Sequence, residues 1–193
     1  MTALILSGGE NRRIPVIKGF IEVDGKRTIE SQIELLRGIF DRVVISTNTP
    51  ELYFYLGLPM IGDIIGKGKG PMSGILSTLL STGEDEIFVI ACDMPFIKPD
   101  LIRHILQNRA KDATIPVFNG RPEPLMAVYT KNIIGVMKKR IEKGRTSLRD
   151  MLGEINVRYI NDSEIRAIDQ KGRSFVNINT EDDLKQLREE VLR

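Results

Sequence analysis

Apolar positions along the chain switch between two periods. Short continuous apolar runs at 2–6, 43–46, 87–91 and 113–117 have the length of strands buried on both faces. Between them the spacing becomes helical. Ile29, Ile33, Leu36 and Phe40 share one face, with Thr28 placed as an N-cap. Met72, Ile75, Leu76 and Leu79 repeat the pattern after Pro71, a residue suited to a first helical turn. Leu101, Ile102, Ile105 and Leu106 repeat it again after Pro99-Asp100. Strand–helix alternation of this kind predicts an α/β fold, a three-layer, Rossmann-like arrangement around a mostly parallel sheet.

The second part is less regular. It predicts strands at 124–129, 157–160 and 175–178 and a helix over 131–141. Thr180-Glu181-Asp182-Asp183 reads as a capping-box start to a last helix. No Pro-, Gly- or Ser-rich linker and no repeat divides the 193 residues, so one domain over 1–193 is expected.

Composition narrows the function more than the fold. Lys and Arg total 28 against 26 Asp and Glu, a net charge of +2, which argues against a broad nucleic-acid face. One cysteine, Cys92, allows no internal disulfide and suits a reducing, cytoplasmic setting. No apolar run approaches the roughly 20 residues that cross a bilayer, so no membrane partner is expected. One histidine, His104, leaves little scope for a His-based triad.

Cations do cluster in one place. The stretch LSGGENRRIPVIKG, residues 6–19, follows the first strand and would sit at the carboxyl edge of the sheet, where open α/β folds bind ligands. Gly8 and Gly9 let backbone amides approach an anion. Arg13 offers a planar fork for phosphate and Lys18 a compact charge. The residues describe a polyphosphate site, with a solvated loop as the plain alternative. Neither the P-loop pattern nor the G-x-G-x-x-G fingerprint is present, so the nucleotide site is of another design.

Asp93 is the second anchor. It follows the apolar run 87–91 and so emerges at the same edge as the opening loop. A carboxylate there is a suitable ligand for Mg²⁺, which prefers oxygen and shares its shell with substrate phosphate. A turn aspartate held by Pro95 is the alternative.

These stretches resemble a known family. LSGGENRR with its following lysine resembles the LAGG-x-x-x-R-M-G-x-D-K signature of nucleotidyltransferases with the nucleotide-diphospho-sugar transferase fold. ACDMPFIKPDLI, GPMSGI, RPEPLMAVY and VNINTEDDL are similar, in order, to segments of the MobA-like molybdenum cofactor guanylyltransferases. The resemblance implies transfer of GMP from GTP to the phosphate of molybdopterin, with release of pyrophosphate and use of Mg²⁺. It implies backbone contacts to the nucleotide from Leu6, Ser7, Gly8 and Gly9, phosphate contact by Lys18, and nucleotide contact by Asn48 and Asp63. It further implies charge stabilisation by Arg13, metal binding by Asp93, and acceptor contacts by Asn177 and Asn179. Molybdenum-cofactor assembly proteins are the macromolecular partners it suggests.

Pro15 and Ile17 stand where the signature has glycine and aspartate. Two alternatives therefore stay open. One is a nucleotidyltransferase of the same fold that uses CTP or a sugar phosphate. The other is a nucleotide-binding module without catalysis.

Overall fold

In the computed structural model, which describes residues 1–7 and 18–178 together with 180, 183 and 185, the first apolar run becomes the middle of a sheet. The elements in chain order are β1 (Thr2–Leu6), the hairpin strands β2 (Glu22–Val23) and β3 (Lys26–Arg27), α1 (Thr28–Arg37), β4 (Arg42–Ser46), β5 (Met60–Ile61), α2 (Pro71–Thr82) and β6 (Glu86–Ala91). There follow α3 (Pro99–Gln107), β7 (Ala113–Phe118), β8 (Arg121–Pro122), β9 (Met126–Thr130), α4 (Ile134–Glu142), α5 (Leu148–Met151), β10 (Val157–Ile160) and α6 (Asp162–Ile168).

The main sheet runs β10-β7-β9-β6-β1-β4-β5, with β8 paired to β7. β1 is parallel to β4 and β6, β4 to β5, and β10 to β7. β9 is antiparallel to both β6 and β7. The sheet is thus mixed and mostly parallel.

Alternate residues of the central strands serve two cores. Ile5, Phe88 and Ile90 pack with Ile33 and Leu36 of α1 and with Leu101, Ile102 and Ile105 of α3. Leu4, Val44 and Val89 pack with Ile75 and Leu76 of α2, Met137 and Ile141 of α4, and Leu148 and Met151 of α5. Ile87, Phe88, Val89 and Ile90 are all fully buried, which is why β6 carries no polar alternation.

Three local expectations are corrected. Thr28 is the first helical residue of α1 and not its cap: its hydroxyl donates to the Ile21 carbonyl at 3.0 Å, while the cap position falls on Arg27. Phe40 lies beyond α1, yet stays buried by stacking on Phe88 with ring centroids 5.3 Å apart. Residues 175–178 form no strand. Residues Arg173–Phe175 make a 3₁₀ turn, Phe175 stacks on Phe118, and Ile178 gives its amide to a single carbonyl in place of a ladder. At the last helix the reciprocal cap is formed: the Asp183 amide donates to the Thr180 hydroxyl and the Thr180 amide to the Asp183 carboxylate.

Candidate active site

The register of the central strands sets the site. Leu6 pairs with both Ser46 and Ala91, so β1, β4 and β6 end level with one another. The residues that follow each strand emerge side by side at the carboxyl edge. The Ser7 amide donates to the Ser46 carbonyl at 2.9 Å, and the Cys92 amide to the Leu6 carbonyl at 3.1 Å. Leu6, Ser7 and Asp93 are thereby brought to one edge.

Side chains fix that edge. The Ser7 hydroxyl donates to the Tyr53 hydroxyl at 2.5 Å. Burial pushes the Tyr53 phenol above its ordinary range, against the pull of the Ser7 bond. Gln32 of α1 donates from one amide nitrogen to the carbonyls of Ala91 and Met94, at 2.8 and 2.9 Å. This clamp holds the tip that carries Asp93, which is itself buried. Neither Tyr53 nor Gln32 was predicted as a site residue. Gln32 left a signal, a polar residue directly before Ile33 on the apolar face of α1. Tyr53 left none.

Gly8, Gly9, Arg13 and Asn179 lie outside the described residues, as do Pro15, Ile17 and the side chain of Lys18. The backbone of Lys18 opens a 3₁₀ turn, Lys18–Phe20. A Cβ on the next residue, Gly19, would lie 3.5 Å from the Cβ of Cys92. The chain therefore returns from the opening loop to pack on the residue beside Asp93.

Asn48 and Asp63 form a pair. The Asn48 side-chain amide donates to the Asp63 carboxylate at 2.8 Å, and the Asp63 backbone amide donates to the Asn48 side-chain oxygen at 3.0 Å. The same carboxylate accepts the Gly68 amide at 3.0 Å, which shapes the loop carrying Lys67 and Lys69. Pairing of β4 with β5 makes this possible, since Ser46 faces Ile61 and both strands end beside these residues. Thr47, Asn48, Met60, Gly62, Asp63 and Lys67 line a cavity of about 290 Å³. Over the strand ends, Gly74 of α2 comes so close that a Cβ there would lie 2.5 Å from the Ser46 hydroxyl and 2.8 Å from Leu6.

Asn177 precedes Ile178, whose amide donates to the Asp93 carbonyl at 2.9 Å. Asn177 is exposed, on the opposite side of Asp93 in chain order from the Asn48–Asp63 pair. Glu123 was not predicted; its carboxylate accepts the amide of Leu125, whose carbonyl in turn accepts the amide of Ala91 at the end of β6. Burial lifts its carboxyl above the ordinary carboxylate range. The Leu125 amide and the charge of Arg149 work to lower it, and the charge of Asp93 adds to the rise. The nearby Tyr129 phenol, fully buried, is also pushed up by burial and by Glu123, and donates to the Pro124 carbonyl at 2.8 Å. Among the described residues no helix is long and apolar enough to cross a membrane.

A model described as the MobA-like NTP transferase domain matches residues 3–159. A protein of Peptoclostridium acidaminophilum described as a probable molybdenum cofactor guanylyltransferase is 35% identical over 193 residues, covering 96% of this chain and 87% of its own. A molybdenum cofactor guanylyltransferase of Syntrophotalea carbinolica is 31% identical, with coverage of 97% and 90%. The crystal structure of molybdopterin-guanine dinucleotide biosynthesis protein A from Archaeoglobus fulgidus matches with a TM-score of 0.83 at 31% identity, over 99% of this chain and 98% of that one.

Proposed function

Since the chain belongs to the MobA-like NTP transferase family, we propose that it transfers GMP from GTP to the terminal phosphate of molybdopterin and releases pyrophosphate, forming molybdopterin guanine dinucleotide. The observation that carries this reading is the level row Leu6, Ser46 and Ala91. It brings Ser7, Asn48 and Asp93 out at one edge.

The acceptor phosphate is already anionic near neutral pH, its second pKa being about 6, so no general base is needed. One of its oxygens bonds to the α-phosphorus of GTP. The bond from that phosphorus to the bridging oxygen breaks, and pyrophosphate leaves with the electron pair. The obstacle is repulsion between anions, and the remedy is positioning and positive charge. Backbone at Leu6, Ser7, Gly8 and Gly9 would hold the nucleotide, and Asn48 and Asp63 would contact it. Arg13 and Lys18 would stabilise charge on the departing pyrophosphate. Asn177 and Asn179 would face the pterin.

A divalent ion suits the donors present. Asp93 supplies a carboxylate, and Mg²⁺ binds through one or two carboxylates together with substrate phosphate. Bound at Asp93, Mg²⁺ would neutralise phosphate charge.

The test is pyrophosphate release with molybdopterin and Mg²⁺, offered GTP, CTP or ATP in turn. Release with GTP well above the other two supports the proposal. Preference for CTP makes the chain a cytidylyltransferase, and nucleotide binding with no release makes it a binding module.

A further inference from the structure

Ser7 has three groups that can hydrogen-bond, and two of them are committed. Its amide donates to the Ser46 carbonyl at 2.9 Å, and its hydroxyl donates to the Tyr53 hydroxyl at 2.5 Å. The third, its carbonyl, accepts no hydrogen bond from any described residue. It stands directly after the last residue of β1, at the carboxyl edge of the sheet. A carbonyl only accepts, so the ligand group that suits it is a donor. A nucleoside offers such donors, as base N–H or ribose O–H, and an ionised phosphate chain offers none.

Tyr53 reaches this edge from the segment between β4 and β5. It stands between two 3₁₀ turns, Pro50–Leu52 and Phe54–Leu56. Its amide donates to the Pro50 carbonyl at 2.9 Å, and its carbonyl accepts the Leu56 amide at 3.0 Å. The side chain is buried in the same core cluster as Ile5, Ile45 and Cys92. Phe20 meets the ring edge-on, with centroids 5.4 Å apart. The ring is therefore held at both its backbone and its face, and its hydroxyl has one direction.

A buried tyrosine needs some partner for its hydroxyl. Here the partner is the residue that ends the central strand. With amide and side chain both tied, Ser7 cannot turn its carbonyl without breaking a buried bond.

We propose that Tyr53 is a positioning residue for the nucleotide: its bond to Ser7 aims the Ser7 carbonyl at the nucleoside part of the bound substrate. This rests on the transferase reading above and extends it to a residue that itself meets no substrate atom.

The test compares the wild-type 193-residue chain with Tyr53→Phe and with the double variant Ser7→Ala/Tyr53→Phe. The nucleotide is whichever of GTP, CTP and ATP the wild type uses best, so a wrong base assignment leaves the test intact. Tyr53→Phe keeps the ring and strands the buried Ser7 hydroxyl, which lowers the melting temperature by a few degrees. It also raises the KM for nucleotide about fivefold, the scale of one hydrogen bond. Its kcat and its KM for molybdopterin stay at wild-type values, as loss of ground-state binding requires. The double variant removes both hydroxyls, so its melting temperature recovers toward wild type. Its nucleotide KM stays raised, because the tie is still missing. An unchanged nucleotide KM in Tyr53→Phe, or a KM that recovers together with the melting temperature in the double variant, overturns the proposal. A second arm needs no transfer. Fluorescent nucleotide analogues read affinity directly, and inorganic tripolyphosphate, which has no nucleoside, competes with them. Tyr53→Phe binds the nucleotide about fivefold more weakly and tripolyphosphate within about twofold of wild type. Equal weakening of both would mean a general loosening of the edge and would overturn the assignment. Binding without pyrophosphate release would remove the transferase reading alone.

Discussion

The amide of Ile178 donates to the carbonyl of Asp93 at 2.9 Å, tying the chain's last described loop to the tip of its central strand. Asn177 is the neighbour of that donor, so its place beside Asp93 is set by backbone. Asn177→Ala should therefore weaken acceptor use without moving the tip. A rise of about tenfold in KM for molybdopterin is expected, the scale of one polar contact to a charged ligand, with nucleotide affinity unchanged. Steady-state kinetics at saturating GTP measures this. An unchanged KM would remove Asn177 from the acceptor side.

Asp93→Ala and Lys18→Ala address the transfer step itself. A lost charge-stabilising contact in a transition state costs on the order of 3–4 kcal/mol. Each variant should lose at least about 100-fold in turnover. Far-ultraviolet circular dichroism should stay at the wild-type signal. Near-normal turnover in either would refute its role.

Asn48 and Asp63 make two reciprocal hydrogen bonds, so they should behave as one unit. Asn48→Ala leaves the Asp63 carboxylate bound to Gly68 but no longer to a side chain. Either single variant should weaken nucleotide binding by about tenfold, and the double variant little more, since contacting residues are not additive. Equilibrium titration with a fluorescent GTP analogue reads all three. Additive losses would mean that each residue contacts the nucleotide alone.

The sequence was most legible where one physical rule acted alone. The run 87–91 had no polar break, so its burial on both faces followed, and Asp93 at its end followed from that. Asn48 and Asp63 could be named only through family resemblance. Their pairing depends on β5, two residues long, which leaves no periodic signal. The segment 175–178 read as a strand because Phe175, Val176 and Ile178 are strand formers. A ring stack on Phe118 and the bond to Asp93 overrode propensity there.

The segment leading to Asn177 is anchored by Asp169, whose buried carboxylate accepts the Ser174 amide at 2.8 Å and lies 3.8 Å from the Lys98 ammonium. The Ser174 hydroxyl accepts the Lys98 amide at 3.1 Å, which links the segment to the loop after Asp93. Burial alone would raise the Asp169 carboxyl. The hydrogen bonds from Ser174 and Arg173 and the charge of Lys98 outweigh it and hold the group below the ordinary aspartate value. A depressed native value means that the unfolded chain binds the proton more readily. The contribution to stability is then full above about pH 4, the unfolded value, and is lost as pH falls through the native one. Asp169→Asn should cost about 1–3 kcal/mol at pH 7 and much less at pH 3. Denaturant unfolding at the two pH values checks it, and an equal cost at both would show that the charge is irrelevant.

Gly172 closes the same segment under a tighter constraint. Its φ is +63°, and a Cβ there would lie 2.1 Å from the Phe118 ring, which is stacked on Phe175 with centroids 4.9 Å apart. Gly25 offers the control: its φ is +79°, but a Cβ there would meet no heavy atom within 4 Å. Gly25→Ala should cost only the left-handed backbone penalty, about 1–2 kcal/mol. Gly172→Ala adds displacement of a ring in a packed stack, about 1–3 kcal/mol more. At roughly 2–4 °C per kcal/mol for a chain of this size, the second variant should melt about 2–12 °C below the first. The shift should also reach the acceptor side, because the displaced stack carries residues 175–178 toward Asp93. Gly172→Ala is therefore expected to raise the KM for molybdopterin, and Gly25→Ala to leave it alone. Equal melting temperatures for the two would show that the Phe118–Phe175 stack yields freely and does not hold Asn177 in place.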